Sequence, residues 1–372
     1  MIIILGAGII GLSIGYDLLK KGKKVKIFDS SAIKAKSTNA SIGMLAPLIE
    51  AKPLEKKLFR LMTASKIIWE KLQQNKNFSQ TIGLKNNSSL MVALNEDDEE
   101  KLKFKKKFFQ TLGYKSLFLS KNETLRIEPL LNSNVTASLL CKGQDQVNPL
   151  LYKDFLIKEI LRMKGKIINE KIIKKITIKK NKIFFNEKTL NFDKVIISCG
   201  AWSNEIIYNS FGIKFPTRPL KGISLTLKAP LIKFNHNLWF RNIYIAQRDN
   251  GILAVGATEE EKGFDNSVRM DELFFLTNSL WESLPKLEDI SLNEIKVGLR
   301  PAVFDGNPII GPLEEVSQDI ICNFGHYRNG ILLAPISSQI ISQYILEENI
   351  AKEYNFFFKN VDFKEISRSK RL

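Results

Sequence analysis

Residues 1–30 read MIIILGAGIIGLSIGYDLLKKGKKVKIFDS. Met1 to Leu5 is an apolar run, Gly6-Ala7-Gly8-Ile9-Ile10-Gly11 follows at once, and a second run, Val25 to Phe28, ends in Asp29. That is the order strand, tight glycine turn, helix and second strand of a dinucleotide-binding unit. Gly6 permits the turn, Gly8 lets a pyrophosphate approach the backbone, and Gly11 lets the helix lie close to the sheet. The amides that open the helix then face the phosphates. Asp29, eighteen residues after Gly11, stands where an acid accepts ribose hydroxyls, which argues against a 2'-phosphate. A lone glycine triplet is as well explained by an ordinary turn. Here the strand before it, the helix Leu12 to Lys21 and the acid after the next strand agree. The pattern does not separate NAD from FAD.

With 372 residues, 44% hydrophobic and 26% charged, the chain can bury a large core and is long enough for two domains. The formal charge of +17 would point to a polyanion if it were concentrated. It is instead scattered through patches such as Lys101 to Lys107 and Lys171 to Lys182, interrupted by Ile, Phe and Asn, and reads as a basic solvated surface. Cys141, Cys199 and Cys322 are too few and too widely spaced for a disulfide framework or a Cys zinc site. Met1 opens directly into the first strand, so no signal peptide is expected, and the glycines make this stretch a poor membrane span. A cytoplasmic location is expected.

Beyond Asp29, the stretch Ser41-Ile42-Gly43-Met44-Leu45-Ala46-Pro47 is small and apolar, allowing close backbone approach to a flat ligand. Leu58, Leu61, Met62, Ser65, Ile68, Trp69 and Leu72 recur at helical spacing, with Ser65 the polar member. Short strands are expected at Ser89 to Leu94, Lys166 to Asn169, Ile173 to Ile178 and Lys182 to Phe185. The run Lys194 to Ser198 ends at Cys199-Gly200-Ala201-Trp202, either a nucleotide contact or a plain strand end. Pro216 to Pro219 marks a crossover into a sheet-like region, with strands at Ile223 to Leu227, Ile243 to Ala246 and Ile252 to Val255. Asp249-Asn250-Gly251 is its hairpin turn. A helix is expected over Val268 to Leu284. Leu292 to Leu299 then runs into Arg300-Pro301. Strand, glycine turn and helix return at Ile320 to Phe324, Gly325 to Gly330 and Ile331 to Leu346, which brings the chain back to the nucleotide domain. The last twenty residues are charged and expected to be peripheral.

Only His236 and His326 are present, so neither a His-based metal site nor a Ser-His-Asp triad has support. Arg300 and Arg328 each follow an apolar strand among Pro, Gly or Asn, where a guanidinium can pair with a carboxylate in bidentate fashion. Either alone is more often a structural ion pair. Tyr244 and Tyr327 could close a small pocket or pack in a core.

Several blocks together resemble the FAD-dependent amino-acid and amine oxidases that include D-amino-acid oxidase and sarcosine oxidase, and most nearly the glycine-oxidase branch of thiamine biosynthesis. They are Gly6 to Gly11 with Asp29, S-I-G-M-L-A-P at 41–47, C-G-A-W-S at 199–203 and Gly256-Ala257-Thr258. They continue with Gly298-Leu299-Arg300-Pro301, Asp305-Gly306-Asn307-Pro308 and G-H-Y-R-N-G-I-L-L-A-P at 325–335. The resemblance runs from end to end of the chain in the family's order.

It implies an α/β protein: a Rossmann-type FAD-binding domain (1–82, 141–215 and 300–372) with an inserted mixed-sheet α+β substrate domain (83–140 and 216–299). It implies noncovalent FAD held by the residues from Gly6 to Gly11, by Asp29, Ser41, Gly43, Met44, Leu45, Gly200, Trp202 and Arg300, and by His326, Tyr327, Arg328, Asn329, Gly330 and Ile331. Arg300 takes the family's substrate-carboxylate role, Tyr244 that of the pocket tyrosine, and Arg328 lies near the flavin and the pocket. The helix beginning near Gly330 points its N-terminus at the flavin pyrimidine edge. The expected reactants are a small amino acid or amine and molecular oxygen, with product transfer to thiazole synthase, a homo-oligomer, and no stable nucleic-acid or membrane association. Asn242, Ala246-Gln247-Arg248, Lys221-Gly222-Ile223, Ala302 and Glu259 depart from common family patterns, and bear on substrate size and oxygen reactivity. The alternatives are a D-amino-acid or sarcosine-type oxidase or dehydrogenase, and an FAD-dependent tRNA-modifying enzyme.

Overall fold

A computed structural model describes residues 1–351 and Tyr354, with strands β1–β19 and helices α1–α11 numbered along the chain. The expectation for the charged C-terminal stretch falls on residues outside those described.

Ile2–Leu5 (β1), Val25–Asp29 (β2), Lys166–Asn169 (β8), Lys194–Ile197 (β12), Ile309–Leu313 (β18) and Ser317–Phe324 (β19) form a six-stranded sheet in the order β18-β19-β12-β1-β2-β8. All neighbours are parallel except β18 against β19. Ile2 and Ile4 pack into one core and Ile3 and Leu5 into another. A strand buried on both faces needs no alternation, which is why this run is continuously apolar.

The first face is covered by Ile9–Lys20 (α1), Lys56–Gln73 (α4), Pro149–Arg162 (α8) and Gly330–Ile345 (α11). The other face is covered by Ser203–Phe211 (α9) and a meander of Thr177–Lys179 (β9), Lys182–Phe185 (β10) and Lys188–Asn191 (β11). The strand expected over Ile173 to Ile178 is only this short β9, because Ile173 and Lys174 turn aside to line a cleft and Ile176 gives its amide to Ser210 Oγ.

The second sheet holds eight strands in the order β17-β13-β16-β15-β14-β4-β6-β5. They are Ser89–Ala93 (β4), Leu117–Ser120 (β5), Ala137–Cys141 (β6), Thr217–Lys228 (β13), Asn237–Trp239 (β14), Tyr244–Gln247 (β15), Ile252–Gly256 (β16) and Ser291–Val303 (β17). Met270–Ser283 (α10) buries Leu276 and Leu280 on one face. Glu96–Thr111 (α6) and Pro47–Glu50 (α3) pack on the other around Met91 and Trp239. Shorter elements are Ser37–Ala40 (α2), Lys76–Thr81 (α5), Lys121–Ile127 (α7), and the pair Met44–Leu45 (β3) with Asp145–Gln146 (β7).

The chain passes from α9 on the first sheet to β13 of the second at Thr217, within the crossover read from Pro216 to Pro219, whereas Arg300, expected after a strand, lies inside one. β13 and β17 run without interruption through Pro219 and Arg300-Pro301, with Pro219 facing Pro301. In an antiparallel ladder only alternate pairs exchange hydrogen bonds. Lys221 and Leu299, two residues further along, give their amides instead to Glu260 O and Ala35 O. The prolines occupy the same non-bonded phase, where a missing amide costs nothing. Arg300 is therefore held within a long ladder at the edge of the second sheet, where, among the described strands, β17 pairs only with β13.

Ser65 is also explained. Pro335 lies inside α11 and offers no amide to the turn before it. The nearby carbonyl of Leu332 accepts hydrogen bonds from Ser65 Oγ at 2.5 Å and Trp69 Nε1 at 2.9 Å.

Candidate active site

One elongated cleft, about 1720 Å³ counted to its open mouth, runs from the ends of β1, β2 and β12 to the seam between the two sheets. At its start, Gly6 has φ 105°, and a Cβ there would lie 2.5 Å from Ser198 O. Only glycine fits this turn. Gly8 precedes α1 and supplies no side-chain cap, while the Ile9 amide is bonded by Thr38 Oγ1 at 3.1 Å. Asp29 lines the same end and pairs with Lys36 Nζ at 2.5 Å through Oδ2. Its other oxygen remains able to accept hydroxyls. Cys199 is also here, its thiol pushed up to about 12 by burial and then by Asp29, so it stays protonated at neutral pH.

In the middle, Ile42 to Met44 form the wall. Arg248 holds this segment from behind, donating to Ile42 O, to Val147 O at 3.0 Å and to Gln146 Oε1 at 2.8 Å. Burial lowers its pKa to about 10, which leaves it charged at neutral pH. Opposite stand Asn323 and His326. His326 Nε2 meets Ser337 Oγ at 2.9 Å, and burial lowers its pKa to about 3, so the ring is neutral.

At the seam, Arg300 Nη1 donates to Thr258 O at 3.0 Å and Lys221 O at 3.4 Å. Among the described residues no carboxylate forms an ion pair with it. Gly222 makes its berth, since a Cβ at this position would stand 2.1 Å from Arg300 Nη1. Arg328 is engaged differently. Its Nη2 meets Glu50 Oε1 at 3.0 Å, and its guanidinium lies 6.0 Å from the centre of the Tyr244 ring. Glu50 raises the Arg328 pKa despite burial, so this arginine is permanently charged. Tyr244 is stacked on Trp239 with centroids 5.0 Å apart. The Tyr327 phenol donates to Glu259, and burial followed by that contact raises its pKa. Tyr327 has φ 50°, a left-handed conformation that is costly for a non-glycine residue and turns it into the cleft.

Tyr244, Arg300, Arg328, Asp29, Ser41, Gly43, Met44, Gly200, Trp202 and the run from His326 to Ile331 all line the cleft, as do Gly6, Gly8, Ile9 and Ile10. Ala7, Gly11 and Leu45 do not. Ala7 and Leu45 are buried in the helix-side core. Gly11 serves packing, since a Cβ on it would lie 2.0 Å from Gly6 O. The sequence reading singled out neither Glu50, Gly222 nor Asn323 as site residues. Glu50, three residues after Pro47, carried a weak signal as an acid closing an apolar run, and Asn323 as a polar residue interrupting one.

This fold and cleft are those of a dinucleotide-binding protein whose second sheet walls the far end of the cleft. Residues 1–344 match the DAO family, FAD dependent oxidoreductase, and the chain belongs to it. It is 27% identical to glycine oxidase of Bacillus licheniformis over 363 residues, 96% of each chain. It is 25% identical to glycine oxidase of Bacillus subtilis (strain 168) over 367 residues, 98% of this chain and 97% of that protein. Among solved structures, glycine oxidase from Geobacillus kaustophilus superimposes with a TM-score of 0.86 at 23% identity, covering 96% of this chain and 97% of that one. Iminodiacetate oxidase from Chelativorans sp. BNC1 gives 0.87 at 20% identity, covering 96% and 98%. These structural likenesses speak to the fold.

The residues present fit FAD. A glycine cradle, an acid at the end of β2, the N-termini of two long helices and a buried Asn323 carboxamide without a hydrogen-bond partner all border the cleft. No helix among the described residues is long and apolar enough to cross a membrane.

Proposed function

We propose that this protein is an FAD-dependent glycine oxidase acting on glycine and other small amines or D-amino acids. The observation that carries this reading is the Arg300 guanidinium, seated in the cleft that Tyr244 also lines and without a carboxylate partner among the described residues. A guanidinium so placed offers a bidentate site for a substrate carboxylate. Gly222 and the carbonyls of Thr258 and Lys221 fix its direction, so it orients the substrate as well as binding it. Arg328 is neutralised by Glu50 and leaves Arg300 as the unpaired charge of the pair. Tyr244, held flat by Trp239, bounds the space beside the amino acid and favours small substrates.

Oxidation removes a hydride from Cα and a proton from nitrogen, leaving an imine. FAD, when bound, supplies the acceptor for that hydride and passes the electron pair to oxygen, giving hydrogen peroxide. From glycine the imine is iminoacetate, which water converts to glyoxylate and ammonia or which is handed to thiazole assembly for thiamine. The chain's own work is to bind, orient and shield, and needs no nucleophile.

The test is anaerobic absorbance of the yellow protein during separate additions of glycine, sarcosine, D-alanine and D-proline. Bleaching by glycine, with recovery in air and formation of peroxide, is expected. Bleaching only by larger D-amino acids, or recovery with quinone but not with oxygen, assigns the site to another oxidase or to a dehydrogenase.

A further inference from the structure

We infer that Asn323 holds the ribitol chain of FAD, an inference that rests on the FAD-binding reading above. Asn323 lies near the end of β19, is fully buried, and lines the cleft. Neither its Oδ1 nor its Nδ2 has a hydrogen-bond partner. A carboxamide buried with both polar atoms unpaired is costly and calls for a ligand or another account.

Strand alternation settles which way this side chain faces. Ile321, two residues earlier, belongs to the core that contains Ile9, Ile331 and Leu332, whereas Cys322 and Phe324 belong to the core on the opposite face. Asn323 therefore faces the layer in which α1 and α11 begin. Cys322 pairs with Ile197, so the next level of the sheet sets Asn323 beside Ser198, next to the Gly6 turn. It thus stands between two helix N-termini, one opening at Ile9 and one at Gly330.

The dinucleotide-binding pattern sets the α1 amides at the pyrophosphate, and the family resemblance implies that the α11 terminus faces the flavin pyrimidine edge. The part of FAD that joins those two points is the ribitol. Its hydroxyls both donate and accept, and the Asn323 amide has one acceptor and two donor positions to offer them. Ser30 Oγ, another buried unpaired polar atom of the cleft, follows Asp29 and so belongs to the adenosine end.

The experiment strips the flavin from the full-length protein and measures FAD binding by flavin fluorescence and ADP binding by calorimetry. Wild type, Asn323→Ala and the near-isosteric Asn323→Leu are compared, together with thermal unfolding of each apoprotein. The expected result is an FAD Kd raised about three- to tenfold in both variants. ADP affinity should be unchanged, and the apoprotein midpoint should hold or rise because an unpaired buried amide has been removed. Unchanged FAD affinity in both variants overturns the inference. So does an equal loss of ADP affinity, or a lowered apoprotein midpoint accompanying the loss, which would mark a structural carboxamide. Wild-type apoprotein that binds ADP but not FAD overturns the FAD reading itself, and the inference with it.

Discussion

Gly222 and Arg300 form one device although they lie on different strands. The glycine has no side chain, and the guanidinium fills the space that a methyl would need. Gly222→Ala should therefore push Arg300 off its seat without touching the nucleotide end. We expect kcat/KM for glycine to fall by about 10²-fold, the loss of one charge-assisted pairing, with a much smaller loss of FAD affinity. Arg300→Lys should do much the same, since an ammonium cannot reproduce the fork. Steady-state kinetics beside flavin titration separates the two effects, and a Gly222→Ala enzyme with normal kinetics would contradict the account.

His326 makes a second prediction at a single side chain. Burial holds its folded-state pKa near 3, far below the ordinary 6.5. As pH falls below 6.5 the unfolded chain takes up a proton that the folded chain refuses, so stability is lost between pH 6.5 and 3 and is unaffected above that window. The slope from this one group is at most about 1.4 kcal/mol per pH unit. His326→Gln, which can still meet Ser337, should show a shallower loss in urea unfolding between pH 6.5 and 5. Parallel profiles would dismiss the assignment.

β13 and α10 are joined by an ion pair with no exposure to solvent. Lys221 Nζ lies 2.9 Å from Glu272 Oε1 and 3.0 Å from Oε2, and Glu272 also accepts the Arg269 amide at 2.8 Å. Asp265 stands 3.7 Å from the same ammonium. Lys221→Met leaves a buried carboxylate uncompensated and should cost about 3–5 kcal/mol in chemical unfolding. Lys221→Met with Glu272→Gln should recover more than half of that, because the remaining amide is neutral and can still cap the helix. Additive losses would show that the pair is not coupled. This position was legible in the sequence only as a departure, Lys-Gly-Ile where relatives carry another triplet.

The two sheets meet along α2 and the middle of β13 and β17. Ala35 O accepts the Leu299 amide, Ser37 Oγ donates to Leu299 O, and Ser224 Oγ donates to Ala40 O at 2.9 Å. The cleft follows this seam, so both sheets supply its walls. A ligand seated in it should stabilise the whole molecule as one unit. At one hundred times its Kd, FAD should add about 2.7 kcal/mol to the folded state. For a chain of this length that is a midpoint rise on the order of 3 °C. Scanning calorimetry of apoprotein and FAD-loaded protein should show one shifted transition. A shift in only one of two resolved transitions would place the cofactor on a single sheet.

The nucleotide-binding half was determined by local sequence. Gly6, Gly8, Gly11 and Asp29 lie within one strand-turn-helix-strand unit, where backbone sterics and the two-residue and 3.6-residue periods act over short spans. The wall at Ser41 to Met44 and the block from Gly325 to Pro335 were legible for the same reason. What tertiary structure alone decided are relations between distant strands. These include Pro219 set against Pro301, Arg300 placed within a ladder, Gly222 giving it room, and Glu50 neutralising Arg328. Ser65 and Asn323 belong with them, each a polar residue on an apolar face. Their partners, realised for Ser65 in Leu332 and inferred for Asn323 in the cofactor, come from register and long-range packing, which no local spacing encodes.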